Sequence, residues 1–260
     1  MNYVDEGQSS ETLLLVHGNP TWSFYWRELI AKKKDSHRVV APDHIGMGLS
    51  DRPQDYAYRL DQHIDNLESL VLALDLKNIT LVVHDWGGAI GMGVALKHPE
   101  RFKSFVITNT AAFTDEHIPW RIGVCKNPVG EWAIRKFNAF AWPATFMAVE
   151  RPLTPLIKKG YLFPYGNYQD RIATAKFVRD IPMNKTHPSF QTLNQIGKAL
   201  PGLIRPTTFV WGMKDFCFTP HFLRRWQQTY PHAKSIELTK VGHYVMEDAP
   251  EAVLAALSEM

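Results

Sequence analysis

The sequence predicts an α/β protein: a mostly parallel, doubly wound sheet with a helical segment inserted into it. Two patterns carry this expectation. Short apolar runs alternate with helix-length amphipathic segments, as they must when a parallel sheet is covered on both faces, and the alternation breaks once, from about Ala111 to Gly202. The runs expected as strands are Leu13 to Val16, Arg38 to Ala41, Ile79 to Val83, Phe105 to Thr108, Thr207 to Trp211 and Ser235 to Leu238. Between them, Asp61 to Leu74 places Ile64, Leu67, Leu70, Val71 and Leu74 at helical spacing. Trp86 to Lys97 and Phe222 to Thr229 also read as helices. The break holds many aromatics and prolines, with helical patches at Gly130 to Phe140 and Tyr168 to Phe177. The expected organisation is a core over 1–110, a helical cap over 111–202 and a second part of the core over 203–260. Such a cap would close a pocket over the carboxyl edge of the sheet and exclude water.

Composition excludes several classes of function. A chain of 260 residues with 45% hydrophobic content can bury a substantial core. Its net charge of +3 is small and diffuse. The one basic run, Lys32-Lys33-Lys34, reads as a solvated helix end, so nucleic-acid binding is not expected. No stretch approaches the ~20 apolar residues of a membrane span, and no signal-peptide pattern is visible, so a cytoplasmic protein without stable membrane insertion is expected. Cys125 and Cys217 have no paired spacing and are expected as thiols of a reducing compartment.

Chemistry concentrates in Leu81-Val82-Val83-His84-Asp85-Trp86-Gly87-Gly88, an apolar strand running into a glycine-closed bend. A nucleophile on such a strand-to-helix turn projects from the carboxyl end of the sheet. Hydrolases of this pattern usually carry serine there; an aspartate, with a reference pKa of about 3.9, needs no base before it attacks. The match is partial, because Val83 stands where serine hydrolases mostly have glycine. The helix starting near Trp86 points its positive end at Asp85. Nucleophile, acid and histidine follow in the order of an α/β-hydrolase. Asp215 lies just past the strand Thr207 to Trp211, and His243 on the loop after the last strand, Lys234 to Thr239. Asp215 would then accept the Nδ1 proton of His243 and leave Nε2 free for water. The loop His17-Gly18-Asn19-Pro20 faces the same end of the sheet. Backbone N–H groups of Asn19 and Trp86 suit an oxyanion hole, while the Asn19 amide and the Trp86 indole offer two neutral donors to a departing anion.

These motifs together resemble the haloalkane dehalogenase family, nearly end to end: His17 to Trp22, Pro42 to Asp51, the Asp85 elbow and the Gly242-His243 loop. The resemblance implies an α/β-hydrolase fold and in-line attack by Asp85 on an sp³ carbon. It also implies a halide held by Asn19 and Trp86, an alkyl ester on Asp85, and hydrolysis by water activated through His243, with Asp215 stabilising the imidazolium. Some members carry the acid after the preceding strand; here Phe105 to Thr108 ends in Asn109, which leaves Asp215 as the acid. Neither metal nor organic cofactor is implied, and the substrate is a small apolar molecule.

Within the family the chain looks most like the β-lactone decarboxylases of bacterial long-chain olefin synthesis. The matching stretches are Ile118 to Ile122, Arg179 to Pro182, Lys214 to Phe218 and Gly242 to Asp248. In that branch the same residues would act on a cis-β-lactone to give an alkene and carbon dioxide, and association with other enzymes of a lipid pathway would follow. Haloalkane hydrolysis is taken as the first reading and lactone decarboxylation as the alternative. An epoxide hydrolase, using Tyr161, Tyr165 or Tyr168, and a catalytically silent receptor rank lower, the latter because no triad member is lost. The apolar stretch Ala139 to Val149, with Phe140, Trp142, Phe146 and Met147, is the candidate slot for an alkyl chain, although most cap aromatics are expected to be packing. His17, His44 and His84 end strands without ligand spacing, so a metal cluster is not expected. Met1 to Gly7 corresponds to the middle of the second strand of relatives, whose preceding edge strand is expected to be missing.

Overall fold

A computed structural model describes residues 1–117, 123 and 125–260. Among the described residues, seven strands form one sheet: β1 (Tyr3–Glu6), β2 (Thr12–Val16), β3 (Arg38–Pro42), β4 (Ile79–Asp85), β5 (Phe102–Thr110), β6 (Thr207–Gly212) and β7 (Lys234–Leu238). Their spatial order is β1-β3-β2-β4-β5-β6-β7. Only β1 runs antiparallel, pairing with β3 in the register Tyr3 to Pro42; every other pair is parallel. The segment matched to the second strand of relatives is thus the antiparallel edge of this sheet.

Strands β2, β4 and β6 are buried throughout. In β2 the side chains alternate between faces, so Leu13 and Leu15 join one apolar cluster and Leu14 and Val16 the other. The first cluster packs against α1 (Arg27–Lys33), α10 (Val245–Asp248) and α11 (Pro250–Ser258) through Leu29, Val245 and Val253. The second packs against α2 (Leu60–Ala73), α3 (Trp86–Lys97) and α9 (Pro220–Thr229) through Ile64, Leu67, Ile90 and Trp226. At the far edge, Lys234-Ser235-Ile236-Glu237-Leu238 alternates charge and apolar surface, as an edge strand facing water should.

The chain leaves β2 toward β3 on one side, while β4 lies on the other. Loops after β2 and β4 therefore diverge and leave a crevice at the carboxyl ends of the strands, where open α/β sheets bind ligands. Across it lie α4 (Pro128–Phe137), α5 (Ala141–Met147), α6 (Pro155–Leu162), α7 (Ile172–Arg179) and α8 (Phe190–Ala199). No described residue between 111 and 202 is in a strand. The helix expected over Gly130 to Phe140 is Pro128–Phe137: Asn138 takes a left-handed conformation (φ 55°) and ends it, and α5 begins only at Ala141. The helix expected from Tyr168 starts at Ile172 instead: the Asn167 side chain accepts from the Gln169 and Asp170 N–H groups and holds a turn there. Cap and core are joined by Glu247, whose carboxylate takes two hydrogen bonds from Arg27 (2.6 and 2.8 Å) and one from Tyr161 of α6. Asp248 adds a second junction by accepting from the N–H groups of Glu150, Arg151 and Gly242.

Candidate active site

Asp85 ends β4 at φ 52°, ψ −128°, a strained conformation for a residue with a side chain, and α3 begins at the next residue. Three features keep the backbone there. Thr110 Oγ1 donates to the Asp85 carbonyl. Gly87 lies against the Val16 carbonyl, and Gly88 against the Thr110 hydroxyl, so that a methyl group at either position would overlap its neighbour. Gly18, on the opposing loop, packs directly on the Asp85 carboxyl group for the same reason.

The carboxyl group receives the Asn19 N–H on Oδ1 at 2.6 Å and also a hydrogen bond from the Trp86 N–H. Its Oδ2 lies 3.7 Å from His243 Nε2. His243 Nδ1 lies 2.7 Å from Asp215 Oδ2, and the His243 carbonyl accepts from His84 Nε2 at 2.9 Å. Asp85, Asp215 and His243, expected together from their order in the chain, are brought together here, with Asn19 and Trp86 flanking the first. Burial raises the pKa of Asp85, against the opposing pull of His243 and of the Trp86 and Asn19 N–H groups. For His243, burial opposes the charge, but Asp215 and Asp85 outweigh it and the pKa rises. The two charges thus sustain each other in a nearly dry site.

Sequence reasoning missed part of this arrangement. Asn109, noted there only for not being an acid, is buried at the end of β5 and donates Nδ2 to Asp215 Oδ2 at 2.8 Å and to the Gly212 carbonyl at 3.0 Å. Its Oδ1 accepts the Gly212 N–H at 2.7 Å, and the Cys217 N–H donates to Asp215 Oδ1 at 2.6 Å. Asp215 is thereby held from both sides. An asparagine ending a strand beside the acid strand is the signal that could have found it. The Asn19 side chain is placed partly by the cap: Nδ2 donates to the Thr174 carbonyl of α7 at 3.1 Å, and Oδ1 is buried without a partner among the described residues.

Above the carboxylate lies a cavity of about 270 Å³. Phe222 of α9 and, from the segment 111–202, Ala111, Phe113, Phe140, Pro143 and Met147 give it apolar walls, with Asp85, Asn19 and His243 among its polar groups. Of the slot expected over Ala139 to Val149, Phe140 and Met147 line the cavity, whereas Trp142 and Phe146 are outside it, 57% and 48% exposed. The cap tyrosines are not aimed at a substrate: Tyr161 donates to Glu247, Tyr165 to the Pro20 carbonyl at 2.9 Å, and Tyr168 lies on the surface under the Arg135 guanidinium. Ile118 to Ile122 falls outside the described residues. Cys125 and Cys217 both line the cavity and are not joined in a disulfide.

His17 and His44 bond to each other's loop backbone rather than converging on an ion: the His44 N–H reaches His17 Nε2 at 3.1 Å, and His44 Nε2 the His17 carbonyl at 2.9 Å. A different group, Asp115, His117 and His221, brings ligand-type atoms within 4.8 Å of one another. The Arg225 guanidinium sits 2.7 Å from Asp115 Oδ2 and already balances that charge, so the group reads as an ion-pair network.

Residues 11–124 match the family model described as alpha/beta hydrolase fold. Cis-3-alkyl-4-alkyloxetan-2-one decarboxylase of Shewanella oneidensis is 44% identical over 98% of this chain and 82% of its own length. Haloalkane dehalogenase 2 of Mycobacterium bovis is 32% identical over 100% of this chain and 90% of its own. Among solved structures, a haloalkane dehalogenase of Bradyrhizobium elkani superposes with a TM-score of 0.89 at 27% identity, over 99% of this chain and 92% of that one. The class defined by fold and site is an α/β-hydrolase with aspartate at the elbow. Within it, the chain belongs to the family that includes the haloalkane dehalogenases and the cis-3-alkyl-4-alkyloxetan-2-one decarboxylases.

Proposed function

We propose that this protein is a decarboxylase of cis-disubstituted β-lactones, in which Asp85 is the nucleophile, His243 and Asp215 complete the triad, and Asn19 and Trp86 receive the leaving group. The observation that carries the choice of substrate is the 44% identity, over nearly the whole chain, to a protein named for that activity, against 32% for the dehalogenase. This reverses the ranking that the motifs alone suggest.

The step balances without water, proton or cofactor. Asp85 Oδ2 attacks the ring carbon that bears the lactone oxygen. That C–O bond breaks, its electron pair stays on oxygen, and the opened ring becomes a carboxylate next to an alkyl ester on Asp85. The indole N–H of Trp86 and the amide of Asn19 stabilise this carboxylate as it forms. The bond from the chain to the carboxylate then breaks and carbon dioxide leaves. Its electron pair forms the alkene while the ester C–O bond returns its electrons to Asp85. Imidazolium at His243, sustained by Asp215, favours the return of charge to Asp85. An apolar cavity suits both alkyl arms and keeps water from the ester.

Haloalkane hydrolysis is the second reading, favoured by two neutral donors beside Asp85 with no basic residue between them. There Asp85 displaces halide, and His243 removes a proton from the water that attacks the ester carbonyl, with the Asn19 and Trp86 N–H groups receiving the oxyanion. One pair of incubations separates the two: a cis-dialkyl β-lactone assayed for alkene, and 1,2-dibromoethane assayed for bromide. Alkene without bromide is the expected result; bromide alone would establish the second reading, and neither product would contradict both.

A further inference from the structure

Outside the active site, the cap presents an unusual amount of apolar surface. Helix α4 exposes Val129 and Trp132, with Phe137 at its end; the spacing of Val129, Trp132 and Lys136 puts one cation on the same stripe. Helix α6 repeats the pattern: Leu156, Lys159 and, just past its end, Phe163 have the same spacing, and all three are exposed, Phe163 to 67%. Between them in the chain, α5, which packs on α6, exposes Trp142 and Phe146, whose rings meet edge to face at 5.0 Å. Scattered exposed apolar residues are ordinary, but consecutive helices each turning aromatic and aliphatic groups to solvent mark an interaction surface.

Charge selects the occupant. The carboxylates of this segment are neutralised within the protein: Glu131 by Lys176 and Arg179, and Glu150 by Lys214. Lys136, Arg151, Lys158 and Lys159 have no carboxylate partner among the described residues. The surface therefore combines tryptophan and phenylalanine with unbalanced cations, the pairing that suits the headgroup region of an anionic bilayer. No helix of the described residues is long and apolar enough to cross a membrane, so contact would be peripheral. The surface also reaches the active site. Met147 is 44% exposed on α5 and at the same time lines the cavity.

We propose that α4, α5 and α6 form a docking face for anionic lipid bilayers, through which apolar substrates pass from the membrane into the cavity. The docking itself rests on this surface and not on the substrate reading, and it is measured without turnover. The test is flotation of the protein with vesicles of phosphatidylcholine containing 30% phosphatidylglycerol and with pure phosphatidylcholine vesicles, followed by emission from tryptophan. Flotation with the anionic vesicles at least ten-fold stronger than with the neutral ones is expected, weakening with added salt and accompanied by a blue shift. Trp142→Glu with Phe163→Glu should abolish flotation while thermal unfolding stays near that of the parent, since both side chains are exposed and neither lines the cavity. Lys136→Glu with Lys159→Glu should abolish the preference for anionic lipid. Failure of the parent to float with either vesicle would overturn the proposal. So would sedimentation velocity showing a stable dimer that Trp142→Glu dissociates, because a second copy would then be the occupant.

Discussion

At the residue scale, the reading depends on how each group is held. Asn109 never touches substrate, yet it fixes Asp215 and the end of β6 through three hydrogen bonds. Replacing it with alanine strands the Gly212 N–H in a buried place and removes a donor from the acid, at a cost of about 1–3 kcal/mol in stability. A positioning role also predicts a change that lost stability alone does not produce. With a weaker hold on Asp215, His243 should lose part of its raised pKa, and the kcat–pH profile should shift to lower pH. An unchanged profile in Asn109→Ala would show that Asp215 keeps its place without this residue. His243→Ala separates the two chemistries. If water must open the ester, the variant accumulates added mass on the Asp85 peptide when given 1,2-dibromoethane. If the ester collapses by losing carbon dioxide, alkene still forms from the lactone at a reduced rate, because no base is needed. Most of this site was legible in the sequence, since Asp85, Asp215, His243, Asn19 and Trp86 each sit directly after or beside a recognisable strand. Asn109 was read only as not being the acid, and its supporting role was not seen: as an uncharged residue it carries no signal until the strands are placed side by side.

At the element scale, the elbow is a packing problem solved by glycine. Gly88 opposes the Thr110 hydroxyl, which itself holds the Asp85 carbonyl, so a side chain there would push α3 from the sheet and release the strained turn together. Gly88→Ala is expected to lose about 1–3 kcal/mol, the range of an overpacked core, and far more activity than that stability loss explains. Measuring kcat at a temperature where the variant is fully folded checks this; full activity would mean that the turn tolerates a shifted helix. Strands were readable at this scale because burial on both faces leaves near-continuous apolar runs, as in Thr12-Leu13-Leu14-Leu15-Val16 and Ile79-Thr80-Leu81-Val82-Val83. The antiparallel strand Tyr3–Glu6 resembles nothing so regular, because as an edge it is mostly exposed and mixes charge with apolar residues. Helix ends in the cap were the least legible. Asn138 and Asn167 each set a boundary, one by its backbone and the other by its side chain, and neither breaks the apolar periodicity that sequence reading follows.

At the scale of the whole molecule, buried histidines set the response to acid. Burial pushes the pKa of His17 down to about 4 and those of His44, His63 and His84 well below the ordinary value. In the unfolded chain each titrates near 6.5, so between that pH and the folded-state value the unfolded state binds more protons. Stability therefore falls as pH drops from about 6.5 toward 4, with His17 alone worth roughly 3 kcal/mol across the interval. His243 acts in the opposite sense: its raised pKa contributes stability that is full below 6.5 and is lost as pH rises through the folded-state value. Below pH 6.5 the opposing groups are Asp180, which burial pushes up to about 6, and Asp85, which burial also raises; four buried histidines outweigh these two carboxyl groups, and unfolding by urea should show a net loss below pH 6.5. Neither ring nitrogen of His63 has a partner among the described residues, so His63→Phe should remove part of that loss. A pH dependence identical to the parent's would mean that this histidine is not held neutral.

The central claim is that a carboxyl oxygen of Asp85 bonds directly to a substrate carbon. Quenching the reaction with a cis-dialkyl β-lactone in acid within the first turnover, digesting the protein and weighing its peptides tests this most directly. The account predicts that the peptide bearing Asp85 gains the mass of the intact lactone, that the gain disappears at longer times as alkene appears, and that Asp85→Asn neither gains mass nor makes alkene. Alkene formation by Asp85→Asn at the parent's rate, or added mass only on another peptide, would contradict it.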